Sequence, residues 1–194
     1  MVSEIGVDSG CDNWLYSAQR CLSPNQDKRP KNTEISLLVI HAISLPPGKF
    51  GGEAIEALFS NTLDSNADPY FEQIHRLRVS AHLLIKRSGH VVQFVGFDQR
   101  AWHAGVSSFE GQSACNDYSI GIELEGCDEM PFEPIQYRQL AAVTRLIQAR
   151  YPAISSQRIT GHSHIAPGRK TDPGPLFDWN RYLTSLTSEP HTHA

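Results

Sequence analysis

Ser36-Leu37-Leu38-Val39-Ile40-His41 is a continuous apolar run closed by a histidine. A strand covered on both faces reads this way, because neither side of its pleat meets water. The run then enters Ser44-Leu45-Pro46-Pro47-Gly48, where two prolines and a glycine force a loop. A doubly covered strand implies a sheet lying between other layers, and the rest of the chain must supply them.

Working outward, Gly52-Glu53-Ala54-Ile55-Glu56-Ala57-Leu58-Phe59 reads as a short helix, and the polar residues 60–69 as a surface loop. Residues 82–87 and 91–95, joined through Ser88-Gly89, predict a β-hairpin on a tight turn. Ser119-Ile120-Gly121-Ile122-Glu123-Leu124-Glu125 alternates. Ile120, Ile122 and Leu124 share a core face, which leaves Glu123 on the other, aimed at a site. Pro134 opens a helix to about Tyr151, with Leu140, Val143, Leu146 and Ile147 at helical spacing, and Pro152 ends it. A short strand over 158–162, a Gly- and Pro-rich loop over 163–175 and a last helix from near Asp178 complete the pattern. Strands interleaved with helices predict one α/β domain, a central mixed β-sheet flanked by helices.

Composition agrees with one globular domain. The chain has 194 residues, 40% apolar and 20% charged, enough to bury a core without staples. A net charge of -4 argues against nucleic acid, whose phosphates call for a basic excess. No stretch approaches the ~18 apolar residues of a membrane span. Met1-Val2-Ser3-Glu4-Ile5 is no basic segment followed by an apolar run, so no signal peptide is read and the expected compartment is the cytoplasm. Cys11, Cys21, Cys115 and Cys127 lack metal-ligand spacing and are expected as reduced, mostly buried thiols. Residues 1–33 are expected as a lead-in packed on a domain spanning 34–186, with a disordered tail at 187–194 that carries His191 and His193.

Nine histidines permit many accidental pairings. Metal ligands favour places where a rigid strand hands over to a loop. His41 and His162 both end predicted strands, and Asp172 follows in a loop long enough to double back. Two imidazoles, a carboxylate and a water make an open catalytic zinc set. The residues alone leave this open beside ordinary core or surface histidines. Glu123 and Glu125 face the same way, and chemistry alone does not choose between them as a base.

Five segments then carry a resemblance. Leu38-Val39-Ile40-His41, Arg78-Val79-Ser80-Ala81-His82, Ala101-Trp102-His103-Ala104-Gly105, residues 116–126 and residues 161–175 together resemble the type-2 N-acetylmuramoyl-L-alanine amidase family, in order over about residues 35–180. The resemblance implies an amidase fold shared with peptidoglycan recognition proteins, with Zn²⁺ bound by His41, His162 and Asp172. It excludes His164 as a ligand, puts Glu123 at the catalytic glutamate and Lys170 at the transition-state lysine. It further implies a cytoplasmic enzyme of peptidoglycan recycling that cuts (1,6-anhydro-)N-acetylmuramic acid from L-alanine. Its substrates induce β-lactamase where that circuit exists.

The chemistry is consistent with those roles. Zinc lowers the pKa of a bound water to about 7, and a carboxylate can then carry its proton to the leaving amine. Arg78 and Arg169 are candidates for the peptide carboxylates, since a guanidinium fork binds them in bidentate fashion. Trp102 and His103 are expected to line the pocket, and His82 to be a structural histidine. The expected partner is a small muropeptide met by a monomer, without nucleic acid or membrane. Ala42 departs from the polar residue often found after the first histidine, which puts a substrate contact or a contact behind a ligand in doubt, not the metal itself. Two other readings compete: a metal-free binding module, and a zinc deacetylase acting on an amino sugar.

Overall fold

A computed structural model of the chain describes residues 13–187. Cys11, residues 1–5 read for a leader, and residues 188–194 of the expected tail lie outside the described residues. In chain order the elements are β1 (Gln19–Arg20), β2 (Gln26–Lys28), β3 (Leu37–Ile43), α1 (Ala54–Phe59), α2 (Pro69–Ile74), β4 (Leu83–Ile85), β5 (Val91–Gln93) and β6 (Gln99–Ala101). There follow β7 (Ser108–Phe109), β8 (Gln112–Ser113), β9 (Ser119–Glu125), α3 (Pro134–Arg150), β10 (Ile159–Gly161), α4 (His162–Ile165) and α5 (Trp179–Thr187).

The main sheet has the order β1-β5-β4-β9-β3-β10. Only β4 and β5 pair antiparallel, as the expected hairpin, and the other four pairings are parallel, so the sheet is mixed. On one face Leu38, Ile40, Leu83, Ile85, Ile120, Ile122 and Leu124 pack with Leu140, Val143 and Ile147 of α3 and Tyr182 of α5. On the other face two smaller clusters form. Leu84, Val92 and Phe94 meet Ile55, Leu58 and Phe59 of α1 and Phe71 of α2. Leu37 and Val39 meet Ala104, Cys115, Tyr118 and Ile165. His41 and Glu123 follow Leu37, Val39 and Gly121 by period-two alternation, so they face the gap between these two clusters.

Helix α3 forms where expected. Pro134 sits at its first turn, the Glu133 backbone N–H donates to Gln136 Oε1 at 3.0 Å, and its buried stripe repeats at helical spacing. Several expectations need correction. β3 runs two residues past His41, because parallel pairing with β9 continues to Ile43 and Glu125. Every residue of β9 is buried, Glu123 and Glu125 included, since both faces of this central strand are covered. α1 begins at Ala54 rather than Gly52. Helix α2 follows the expected loop and was missed, although Asp68 accepts from the Tyr70 N–H and Pro69 takes the first turn, a recognisable helix start. His162 does not end a strand: it opens the single turn α4.

The described part of the lead-in is tied into the domain. β1 pairs with β5 and β2 with β6. Arg29 donates to the carbonyls of Asn116, Asp117, Phe97 and Ser119. No helix among the described residues is long and apolar enough to cross a membrane.

Candidate functional site

His41 Nδ1, His162 Nδ1 and Asp172 Oδ2 form a triangle with edges of 3.0, 3.0 and 3.1 Å. Two elements and a loop bring them there. β3 presents His41, and α4 presents His162 from its first position. The Ser163 N–H then donates to the Asp172 carbonyl at 2.9 Å, folding the loop back on α4. Gly161 admits this return, since a Cβ there would stand 2.8 Å from Cδ of Pro173. The helical turn also separates His162 from His164. Two residues along a helix differ by about 200°, so His164 points away and is exposed, beside Trp179. An extended segment would have put both on one side; the helical turn parts them.

The donor set fits a metal ion. His162 Nε2 lies 3.2 Å from the Ala104 carbonyl, which can only accept, so Nε2 carries a hydrogen and Nδ1 is the nitrogen turned toward His41 and Asp172. Burial, reinforced by His162 and opposed by Asp172, pushes the His41 imidazole down to about 4, so it is neutral at ordinary pH. Tetrahedral bonds of about 2.0–2.1 Å place ligand atoms roughly 3.3 Å apart, within a few tenths of the observed edges. Together these three are the described His, Cys, Asp and Glu side chains that could hold such an ion.

Glu123 lies beside His41 in register on the adjacent parallel strand. Its Oε2 is buried without a hydrogen-bond partner in the protein. Burial, with Asp172 adding and Lys170 opposing, raises its carboxyl well above the usual carboxylate range. Glu125 differs in kind. Its carboxylate accepts from the Gly51 N–H at 2.5 Å and the Arg87 N–H at 3.0 Å, so it latches the loop after β3 to the β4–β5 hairpin.

His162, Asp172, Glu123, Lys170, Trp102 and His103 all line one cavity of about 300 Å³, and the buried His41 meets His162 and Asp172 behind it. Leu45, Phe59, Tyr70, Ile74 and Leu77 form its apolar wall. Those wall residues escaped sequence reasoning, and recognising the Asp68-Pro69 helix start would have pointed to the two from α2. Arg78 and Arg169 stand in an adjoining cavity of about 200 Å³, with Trp102, His162 and Lys170. Arg169 Nη2 donates to the Ala104 and Val106 carbonyls at 2.7 Å each, which leaves the rest of its fork toward that cavity. The Asn116 side chain accepts from the His103 and Ala104 N–H groups at 3.1 and 2.8 Å, bracing the His103 loop. Ala42 lines both the main cavity and a neighbouring groove with its methyl group.

Comparison with known proteins decides the family. The family model described as N-acetylmuramoyl-L-alanine amidase matches residues 31–175. The chain belongs to the N-acetylmuramoyl-L-alanine amidase family. It is thereby a hydrolase. Within the family it is 58% identical over 180 residues to the 1,6-anhydro-N-acetylmuramyl-L-alanine amidase AmpD of Citrobacter freundii, covering 93% of this chain and 96% of that one. A crystal structure of a Se-Met AmpD derivative superposes with a TM-score of 0.90 at 57% identity, over 94% of this chain and all of that one. The amidase AmiD of E. coli, in complex with anhydro-N-acetylmuramic acid-L-Ala-D-gamma-Glu-L-Lys, is 31% identical with a TM-score of 0.58, over 81% of this chain and 60% of that one.

The site's buried histidines carry a stability consequence. His82 has no exposure; its Nδ1 accepts from the Gly121 N–H at 3.0 Å and its Nε2 faces the Gln99 carbonyl at 3.1 Å. Burial, then Arg29, holds it well below its ordinary 6.5, and burial, then His41, does the same to His103. The unfolded chain therefore binds protons below pH 6.5 that the folded chain refuses. Their contribution is complete above that pH and is lost as pH falls. Two such groups cost about 3 kcal/mol between about pH 7.5 and about pH 5.5. The urea midpoint should drop accordingly, and equal midpoints at the two pH values would contradict this account.

Proposed function

We propose that the chain hydrolyses the amide joining the lactyl group of 1,6-anhydro-N-acetylmuramic acid to L-alanine, with Zn²⁺ held by His41, His162 and Asp172. One observation carries the reading. A buried carboxylate, with Oε2 lacking any protein partner, shares a cavity with His162 and Asp172, which converge with the buried His41 on one point. Family membership and the muropeptide bound in the AmiD complex support the substrate class.

Zinc, when bound, supplies a water acidic enough to attack an amide near neutral pH. Glu123 takes the proton from the attacking water and passes it to the departing alanine nitrogen; its raised affinity for a proton suits both halves of that transfer. Lys170, exposed at the cavity mouth, places its ammonium near the developing oxyanion. Arg78 and Arg169 bind the peptide carboxylates, and Trp102 with the His103 ring forms a wall for the sugar. Residues 34–186 form the amidase unit, with the described residues 13–33 packed on it as a lead-in. The protein works as a monomer in cytoplasmic recycling of the cell wall, a reducing compartment suited to the free thiols Cys21, Cys115 and Cys127. Where muropeptides induce β-lactamase, it removes the inducer.

Mass spectrometry of a digest of anhydro-muramyl peptides, with zinc analysis of the same sample, tests this. Free peptide and free anhydro-sugar from a protein holding one zinc are expected. Release of acetate instead, or tight binding without turnover, overturns the proposal.

A further inference from the structure

We infer that His103 is a positioning residue: with Ser119 and the Cys115 carbonyl it forms a one-way hydrogen-bond chain that fixes His41 in the tautomer whose Nδ1 is bare toward the metal position. This rests on the reading of His41 as a zinc ligand, and extends it to residues with no contact to the metal.

The polarity follows from the far end. Ser119 Oγ lies 2.6 Å from the Cys115 carbonyl oxygen. Two oxygens at that distance need a hydrogen between them, and only the hydroxyl has one. That hydrogen is thereby committed, and Ser119 Oγ can only accept from His103 Nε2, 3.1 Å away. The hydrogen of the neutral His103 ring is thus on Nε2, which leaves Nδ1 as an acceptor. His41 Nε2 stands 2.9 Å from that Nδ1 and must be its donor. The single hydrogen of His41 is therefore on Nε2, and its Nδ1 lone pair faces His162 and Asp172. His162 reaches the same state by a separate route, through the Ala104 carbonyl. Reversing the chain would strand two acceptor oxygens against each other at 2.6 Å, a buried contact with no partner.

The fold holds the relay rigidly. Asn116 pins the backbone of His103 and Ala104. Gly121 lets the ring lie against β9, where a Cβ would stand 2.5 Å from His103 Cγ. Ser119, the first residue of β9, is fully buried, so water does not replace its hydroxyl.

Two-bond ¹H–¹⁵N correlation on histidine-labelled protein, metal-free and zinc-loaded, reads the tautomers directly. The expected result is Nε2–H for both His103 and His41 in the zinc-loaded protein, and Nε2–H for His103 without zinc. An Nδ1–H His103 would overturn the relay. Chelator competition gives the energetic side. Ser119→Ala should weaken zinc binding about 10-fold, the low end of the effect of losing a hydrogen-bond partner behind a ligand, because His103 stands between Ser119 and His41. Ser119→Thr, which keeps the hydroxyl, should restore it. Equal weakening in both variants would mean packing rather than hydrogen-bond polarity, and would refute the inference. A wild-type protein that binds no zinc sinks the metal reading itself, whereas zinc binding with an Nδ1–H His103 sinks the relay alone.

Discussion

Replacing Glu123 by glutamine will lower kcat about 10²- to 10⁴-fold while the protein keeps its zinc. The substitution preserves volume and planarity but removes the ability to take up and release a proton. Glu123 is outside the triangle of His41, His162 and Asp172, so the metal should remain. Its position supports a chemical role over a structural one, because Oε2 makes no hydrogen bond that folding would need. KM should change little if the carboxylate acts on the proton rather than on binding. Glu125→Gln is the informative partner. That carboxylate accepts two backbone N–H groups, so its replacement should cost stability and spare most of the rate. Single-turnover rates and zinc content measured on both variants decide the matter. A Glu123→Gln enzyme near wild-type rate would transfer the base role elsewhere.

Asp172→Ala will lose zinc and turnover together. Asp172 Oδ2 sits 3.1 and 3.0 Å from the two imidazole nitrogens, and without it the site has two neutral ligands and no compensating negative charge. The loss of affinity should exceed the ~100-fold typical for a partner behind a ligand. Thermal unfolding offers a readout independent of activity. Zinc at about a thousand times its Kd stabilises a folded protein by roughly 4 kcal/mol, so a chelator should lower the Tm of the wild type clearly. The same chelator should leave the Tm of Asp172→Ala unmoved. Stoichiometric zinc in the purified variant would exclude Asp172 as a ligand.

The contrast between the two glutamates illustrates where sequence reading stops. Period-two alternation in β9 places Glu123 and Glu125 on one face, and the pattern treats them alike. Their difference arises from what covers each: a loop N–H from Gly51 and a hairpin N–H from Arg87 at Glu125, an open cavity at Glu123. His162 and His164 show a second case. Read as extended they coincide, and only the helical turn of α4, tied to Asp172 by the Ser163 N–H, parts them. His103 is a third, since both ring nitrogens are engaged by residues that no spacing rule connects to it.

By itself, then, the sequence determined the features that depend on neighbours along the chain. The apolar run ending at His41 demanded a strand covered on both faces, the start at Pro134 and its periodic stripe demanded α3, and the long motif from Gly161 marked a candidate ligand set through its family likeness. Tertiary structure alone decided that β3 lies beside β9 in the register that pairs His41 with Glu123, and that the cavity opens between two apolar clusters of one sheet face. It decided too which nitrogen of each histidine meets an acceptor. The reason is physical: alternation and helical period set which side a residue faces, whereas hydrogen-bond partners, desolvation and tautomer are set by the groups that long-range pairing brings against that side.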